Sequence, residues 1–173
     1  ASGALGYASY RFSYDSTLPD AKGARVVFEG ISRFELKDGK IRRNEPIEVQ
    51  NGPSIHDCMI TEKYVIVMDL PVTFSMAALM GGESFPYRWN PKHHARIGLL
   101  PKEGKGSDII WCDVEPCYIF HPANAYETTD GKVIMDAAVH ANMFADGAVG
   151  PDSKRTPFER LTIDPVAKKV TRK

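Results

Sequence analysis

At 173 residues, with 22 basic and 22 acidic side chains cancelling to zero, the chain lacks the basic surplus that nucleic-acid binding requires. A composition 43% hydrophobic and 25% charged is that of an ordinary globular protein and excludes a disordered one. Three cysteines, Cys58, Cys112 and Cys117, build no disulfide framework and suit a reducing compartment. No apolar run approaches the roughly 20 residues of a membrane span, and the start carries no basic-then-apolar signal pattern. The chain therefore reads as soluble and cytoplasmic.

Taken in order, the pattern is one of short strands and turns. Tyr7–Tyr14 alternates with a period of two, as a half-buried strand does. Residues 19–23 read as a turn, and Arg25–Leu36 as one long or two short strands. Asp38-Gly39 supplies the positive-φ positions of a tight hairpin, with Ile41–Val49 as the returning strand and Pro46 at an edge or bulge. After the Asn51-Gly52-Pro53 break, Ile60–Tyr64 is a turn, and Val65–Met68 a strand buried on both faces.

Met76–Met80 is the one stretch suited to a short helix, ended by Gly81-Gly82. Ala95–Leu100, Ile109–Val114 and Cys117–Phe120 follow as strands, the last stopped by Pro122, which has no amide hydrogen for a ladder. Asp130-Gly131 repeats the hairpin signal before Val133–Val139. Residues 147–157 form a loop, and Phe158–Ile163 with Ala167–Arg172 a final hairpin about Asp164-Pro165. Strands at this spacing imply an all-β array: sandwich, barrel or propeller.

Two histidines stand at strand ends. His56 precedes the apolar run Tyr64–Leu70, and His121 follows Tyr118-Ile119-Phe120. A histidine at the rim of a buried strand can present a ring nitrogen from a rigid backbone, which suits a metal ligand. Read alone, such a residue is more simply a rim histidine with one satisfied hydrogen bond, since a metal site needs several convergent ligands. His93-His94 resembles a metal pair, but adjacent residues diverge along a strand; His140 also follows a predicted strand and takes the same rim reading; and Asp57 is a weaker rival ligand, because neighbours along a strand point to opposite faces. Glu62 and Glu127 read as turn-surface carboxylates.

The segments Ser54–Phe74 (SIHDCMITEKYVIVMDLPVTF) and Phe120–Glu127 (FHPANAYE), with Phe85-Pro86-Tyr87-Arg88-Trp89 and Ala95–Pro101 between them, resemble in order and spacing the signature segments of the carotenoid cleavage oxygenases. That family includes the apocarotenoid and lignostilbene dioxygenases, and the similarity runs from Ser2-Gly3-Ala4-Leu5 to the last strand. The resemblance implies a seven-bladed β-propeller, of which residues 1–173 would be a single partial domain of about three to four consecutive blades. It implies a ferrous ion, Fe(2+), held by four histidines, with His56 and His121 as the second and third.

The implied reaction delivers both atoms of dioxygen across a conjugated double bond of an apolar polyene, a carotenoid or apocarotenoid, giving two carbonyl products. The family's remaining ligands and the glutamates that support them would lie outside this stretch, making it an internal fragment that is inactive by itself. The alternatives are a lignostilbene-type phenolic dioxygenase and a non-catalytic propeller piece or binding module. Peripheral membrane contact for substrate uptake is a further expectation, although no apolar lip is legible here. Phe74, Phe85, Tyr87, Trp89 and Phe144 are candidates for an apolar tunnel wall or for core.

Overall fold

A computed structural model of the chain describes residues 46–147 and 156–173, together with the backbone of five short strands before them. Two compact units divide the chain, residues 1–48 and 49–173. In the first, β1 (Ala4–Leu5), β4 (Glu35–Lys37) and β5 (Lys40–Ile41) make one small sheet, and β2 (Tyr10–Asp15) pairs with β3 (Arg25–Gly30) in another. Lys37 pairs with Lys40, so two residues join β4 to β5, as the Asp-Gly signal requires. The 25–36 stretch divides into two strands. The return strand predicted to run to Val49 does not: Pro46–Val49 lies outside any strand, and Pro46 has no donor for a ladder. Tyr7–Ser9, the turn at 19–23 and most of the 147–157 loop lie outside the described residues.

The second unit is built from two four-stranded antiparallel meanders. The first runs β6 (Cys58–Ile60), β7 (Tyr64–Asp69), β10 (Arg96–Pro101) and β11 (Ile110–Asp113). A hairpin of β8 (Val72–Phe74) and β9 (Tyr87–Trp89), carrying the helix α1 (Met76–Met80), is inserted between β7 and β10. The second meander is β12 (Pro122–Glu127), β13 (Val133–Ala138), β14 (Phe158–Asp164) and β15 (Lys169–Arg172). A parallel bridge, Asp113 to Lys169, joins the last strands of the two, and the first strands, β6 and β12, also touch. The all-β expectation holds: the two meanders join into one eight-stranded sheet, and each has the four-stranded antiparallel form of a propeller blade.

Strand periodicity explains the core. Ile66, Met68 and Leu70 from β7 and its end, Ile97 and Leu99 from β10, Val133, Met135 and Ala137 from β13, and Leu161 and Ile163 from β14 join one buried cluster shared by both blades. Val65 and Val67, which point the other way, are buried too, as a strand covered on both faces should be. Helix α1 begins where Ser75 Oγ accepts from Ala78 N at 3.2 Å, and stops at Gly81. Among the described residues no helix is long and apolar enough to cross a membrane.

The predicted strand Cys117–Phe120 is not one. Only Tyr118 makes a bridge there, with His140, and β12 begins at Pro122 instead of stopping before it. A proline is tolerated as the first residue of a strand, where its missing donor is not needed. The ladder then skips a residue between Pro122 and Asn124, a bulge that absorbs the irregular start.

Candidate metal centre

Both histidines sit on the segments that lead into the first strand of a blade. The His56 lead-in is held against β8: Ser54 N donates to Val72 O at 2.7 Å, and Phe74 N donates to Gly52 O at 2.9 Å. The His121 lead-in is held by the reciprocal bonds Tyr118 N to His140 O and His140 N to Tyr118 O, each 2.8 Å. The buried Tyr118 hydroxyl then ties the two lead-ins together, donating to Ser54 O at 2.9 Å. Burial pushes the Tyr118 hydroxyl above its ordinary range despite the Ser54 contact, so it remains a donor.

Three cross-links set the relation between the lead-ins. Tyr118 to Ser54, His121 to Asp57 and Glu127 to Lys63 each join residues 64 apart. A constant offset means that residues 54–63 and 118–127 run side by side in the same direction. At the far end, Glu127 Oε1 accepts from Thr61 Oγ1 at 2.8 Å and from Lys63 N at 2.6 Å, and Oε2 lies 3.1 Å from Lys63 Nζ. Burial alone would raise the Glu127 carboxyl; the Lys63 N–H, the Thr61 hydroxyl and the Lys63 ammonium together outweigh it and hold it below the usual range. Glu127 is a clasp between blades, not a turn-surface residue.

At the near end, this register brings the rings of His56 and His121 to a centroid separation of 4.8 Å at 75°. Asp57 stands beside them. Its Oδ1 accepts from Cys58 N at 2.7 Å, and its Oδ2 lies 3.3 Å from His121 Nδ1. The sequence argument placed Asp57 and His56 on opposite faces of a strand; residues 54–57 are not a strand, and the carboxylate turns to the other histidine. Phe120 packs edge-on against His56 at 5.3 Å and opens a file of aromatic rings. From it the file passes to Phe144 at 6.0 Å, Phe85 at 4.8 Å, Tyr87 at 5.1 Å and Phe74 at 6.0 Å.

Residues 19–173 match the family RPE65, described as retinal pigment epithelial membrane protein. A carotenoid cleavage oxygenase of Mycobacterium tuberculosis is 34% identical, over 87% of this chain and 38% of its own length. A carotenoid 9,10(9',10')-cleavage dioxygenase of Crocus sativus is 37% identical, over 73% of this chain and 22% of its own length. The chain belongs to the carotenoid cleavage oxygenase family. Its fold is similar to the crystal structure of Pseudomonas brassicacearum lignostilbene dioxygenase, with a TM-score of 0.68 and 26% identity over 83% of this chain and 32% of that one. A mutant of the Synechocystis apocarotenoid oxygenase, 24% identical over 100% of this chain and 40% of that one, shares the fold with a TM-score of 0.66. The chain thus spans less than two-fifths of the curated relatives it matches.

In this oxygenase-family chain, the donor chemistry near β6 and β12 fits a divalent ion in part. His56 and His121 are two exposed imidazoles with ring centroids 4.8 Å apart, of the donor type that suits such an ion. Among the described residues, no group of three or more His, Cys, Asp or Glu gathers into a complete shell. The nearby thiol does not compete: burial, and then the Asp57 charge, push Cys58 up, away from the thiolate that a metal would need. Cys112 and Cys117 are buried and pushed up to about 11 by burial. Cys58 is half-buried.

The remaining histidines are engaged elsewhere. His93 is buried, with Nε2 2.7 Å from Asp69 Oδ1, while Arg96 Nε donates to Asp69 Oδ2 at 2.8 Å, so a buried carboxylate is fully paired. His94 meets Asp113 at 3.0 Å on the surface. His140 lies against Phe120 and has Nδ1 3.2 Å from Thr156 Oγ1. Phe74, Phe85, Tyr87 and Phe144 are already candidates in the sequence; what sequence reasoning missed is the order of the rings and the contacts of Asp57 and Glu127 across the two lead-ins. The only signal that could have found them is the 64-residue offset between SIHD and YIFH, legible once the two lead-ins are aligned with each other.

Proposed function

We propose that the protein carrying this chain is a non-haem Fe(II) dioxygenase that cleaves a conjugated carbon–carbon double bond of a carotenoid or apocarotenoid into two carbonyl products. The observation that carries the reading is the meeting of His56 and His121, 65 positions apart, at the leading ends of two neighbouring strands. Ferrous iron, when bound, supplies the redox chemistry that adds both atoms of dioxygen to the two carbons of the cleaved bond. The chain's own residues hold and orient. His56 and His121 are neutral nitrogen donors of the type that suits divalent iron. Phe120, against His56, keeps one side of the site apolar; Phe144 is core, and Phe85 and Tyr87 pack against that core, backing the site from behind.

The file ends at Phe74, next to α1, where Leu79 is 46% and Met80 76% exposed. Those two side chains support a peripheral lipid contact through which a polyene enters. The unpaired thiols support a reducing, cytoplasmic setting. A second reading, a phenolic substrate, is supported by the likeness to a lignostilbene dioxygenase and to a resveratrol cleavage oxygenase of Chaetomium globosum, 30% identical over 66% of this chain.

The test is metal content, dioxygen uptake and product analysis on the intact protein with an apocarotenoid and a hydroxystilbene side by side. The expected result is one equivalent of iron and two carbonyl products from the polyene, with both lost in His56→Ala and in His121→Ala. Cleavage of the stilbene alone selects the phenolic reading. Full iron content in either variant would remove that histidine from the site, and an intact protein that neither binds iron nor consumes dioxygen would make it a non-catalytic propeller.

A further inference from the structure

We infer that Asn51-Gly52 is a self-modifying site, at which His93 promotes loss of the Asn51 side-chain amide through a cyclic imide. Asn51 is exposed to water and has a φ of +58°, and Gly52 follows with a φ of +56°. This is the one Asn-Gly pair in the chain. Glycine presents its nitrogen to the preceding side chain with no Cβ to shield it. Among the described residues, none accepts from the Gly52 N–H, which leaves that nitrogen available. The Gly52 carbonyl, by contrast, is pinned by the Phe74 N–H at 2.9 Å.

The second observation lies behind the amide. Asp69 is buried, with Oδ2 accepting from Arg96 Nε at 2.8 Å and Oδ1 2.7 Å from His93 Nε2. A carboxylate without a proton only accepts, so Nε2 carries a hydrogen. The other ring nitrogen, Nδ1, is then the one turned on Asn51, 3.2 Å from Nδ2. His93 N donates to Asn90 O at 3.0 Å, which fixes the backbone from which the ring projects. A carboxylate that orients an imidazole, whose far nitrogen meets the reacting atom, is the arrangement of general acid–base catalysis. The contact also satisfies a buried ring, so rate, not stability, separates catalysis from packing.

The step balances with water as the only co-reactant. The Gly52 nitrogen bonds to Asn51 Cγ, the Cγ–Nδ2 bond breaks, and Nδ2 leaves as ammonia. The proton lost by the Gly52 nitrogen is the one that the departing amine gains, and His93 Nδ1, beside Nδ2, is placed to deliver it. Water then opens the imide. Attack at the side-chain carbonyl gives aspartate at position 51; attack at the main-chain carbonyl gives isoaspartate, which adds a CH2 to the backbone just ahead of the bond between Gly52 O and Phe74 N.

The test is to age the intact protein in ¹⁸O-labelled water at neutral pH and map its peptides by mass spectrometry. The label and isoaspartate should accumulate at residue 51 and not at Asn90, Asn124 or Asn142. Folded wild type should react faster than the same chain unfolded in guanidinium, a comparison that needs no variant to fold. His93→Gln, which can still bridge Asp69 and Asn51 but carries no proton, should slow the folded protein about 100-fold. A folded rate at or below the unfolded one, or a His93→Gln rate within about twofold of wild type, would overturn the inference.

Discussion

At the scale of single residues, the side chains that matter most here join points remote in sequence. Glu127 is the clearest case. It meets three donors on the Thr61–Tyr64 turn, and the other acceptor of the buried Thr61 hydroxyl, Tyr64 O, lies farther off at 3.5 Å. Glu127→Ala should lower stability by about 1–3 kcal/mol, the cost of leaving hydrogen-bonded groups unsatisfied, read as a shift of the urea midpoint with unchanged slope. No change in midpoint would show that water replaces the carboxylate freely. A strand-ending signal beside each made His56 and His121 visible locally, and the resemblance of their motifs to the family's singled them out as ligands. The partners of Asp57 and Glu127 were not visible in this way, since a contact 64 residues away leaves no trace in a carboxylate's neighbours.

At the scale of elements, local chemistry carries most of the argument. The two Asp-Gly hairpins, the helix at Met76–Met80 and the buried strand at Val65–Met68 were legible because each depends on residues within one turn or one strand. In the second hairpin, Gly131 has a φ of +83°, the left-handed conformation such turns require. The hairpin of β8 and β9 was not legible, because twelve residues, a short helix among them, lie between Phe74 and Tyr87.

β10 shows how tightly a blade is packed. Gly98 pairs with Trp111, and a Cβ there would meet Trp111 Cζ3 at 2.7 Å and the Ile109 side chain. Arg96 lies over the same indole, 3.9 Å from its ring centre. Gly98→Ala should cost about 1–3 kcal/mol through overpacking, measured by thermal or urea unfolding. An unchanged or raised melting temperature would show that Ile109 and Trp111 have room to shift.

At the scale of the whole molecule, His140 links stability to pH just below neutrality. Burial lowers the affinity of His140 for a proton, so its folded-state value lies below that of the unfolded chain, about 6.5. The unfolded chain therefore binds more protons in the window between the two values, and stability falls as pH drops from about 6.5 through the folded value. The urea midpoint should be lower at pH 5.5 than at pH 7.5, and His140→Gln should reduce that difference. A variant as pH-sensitive as wild type would place the linkage on other groups.

What the sequence determined by itself was the list of parts: strand periodicities, hairpin turns, one short helix and the order of motifs that placed the chain in its family. These follow from backbone sterics, missing amide hydrogens and the alternation of side chains, all of which act over a few residues. Only the tertiary structure decided that 54–63 and 118–127 run in parallel at a constant offset, that Pro122 opens a strand, and that two imidazoles, a carboxylate and a file of aromatic rings share one place. The physical reason is that strands from two blades bury one common core. The register in which they do so depends on all of their side chains together, and no short window of the chain contains that sum.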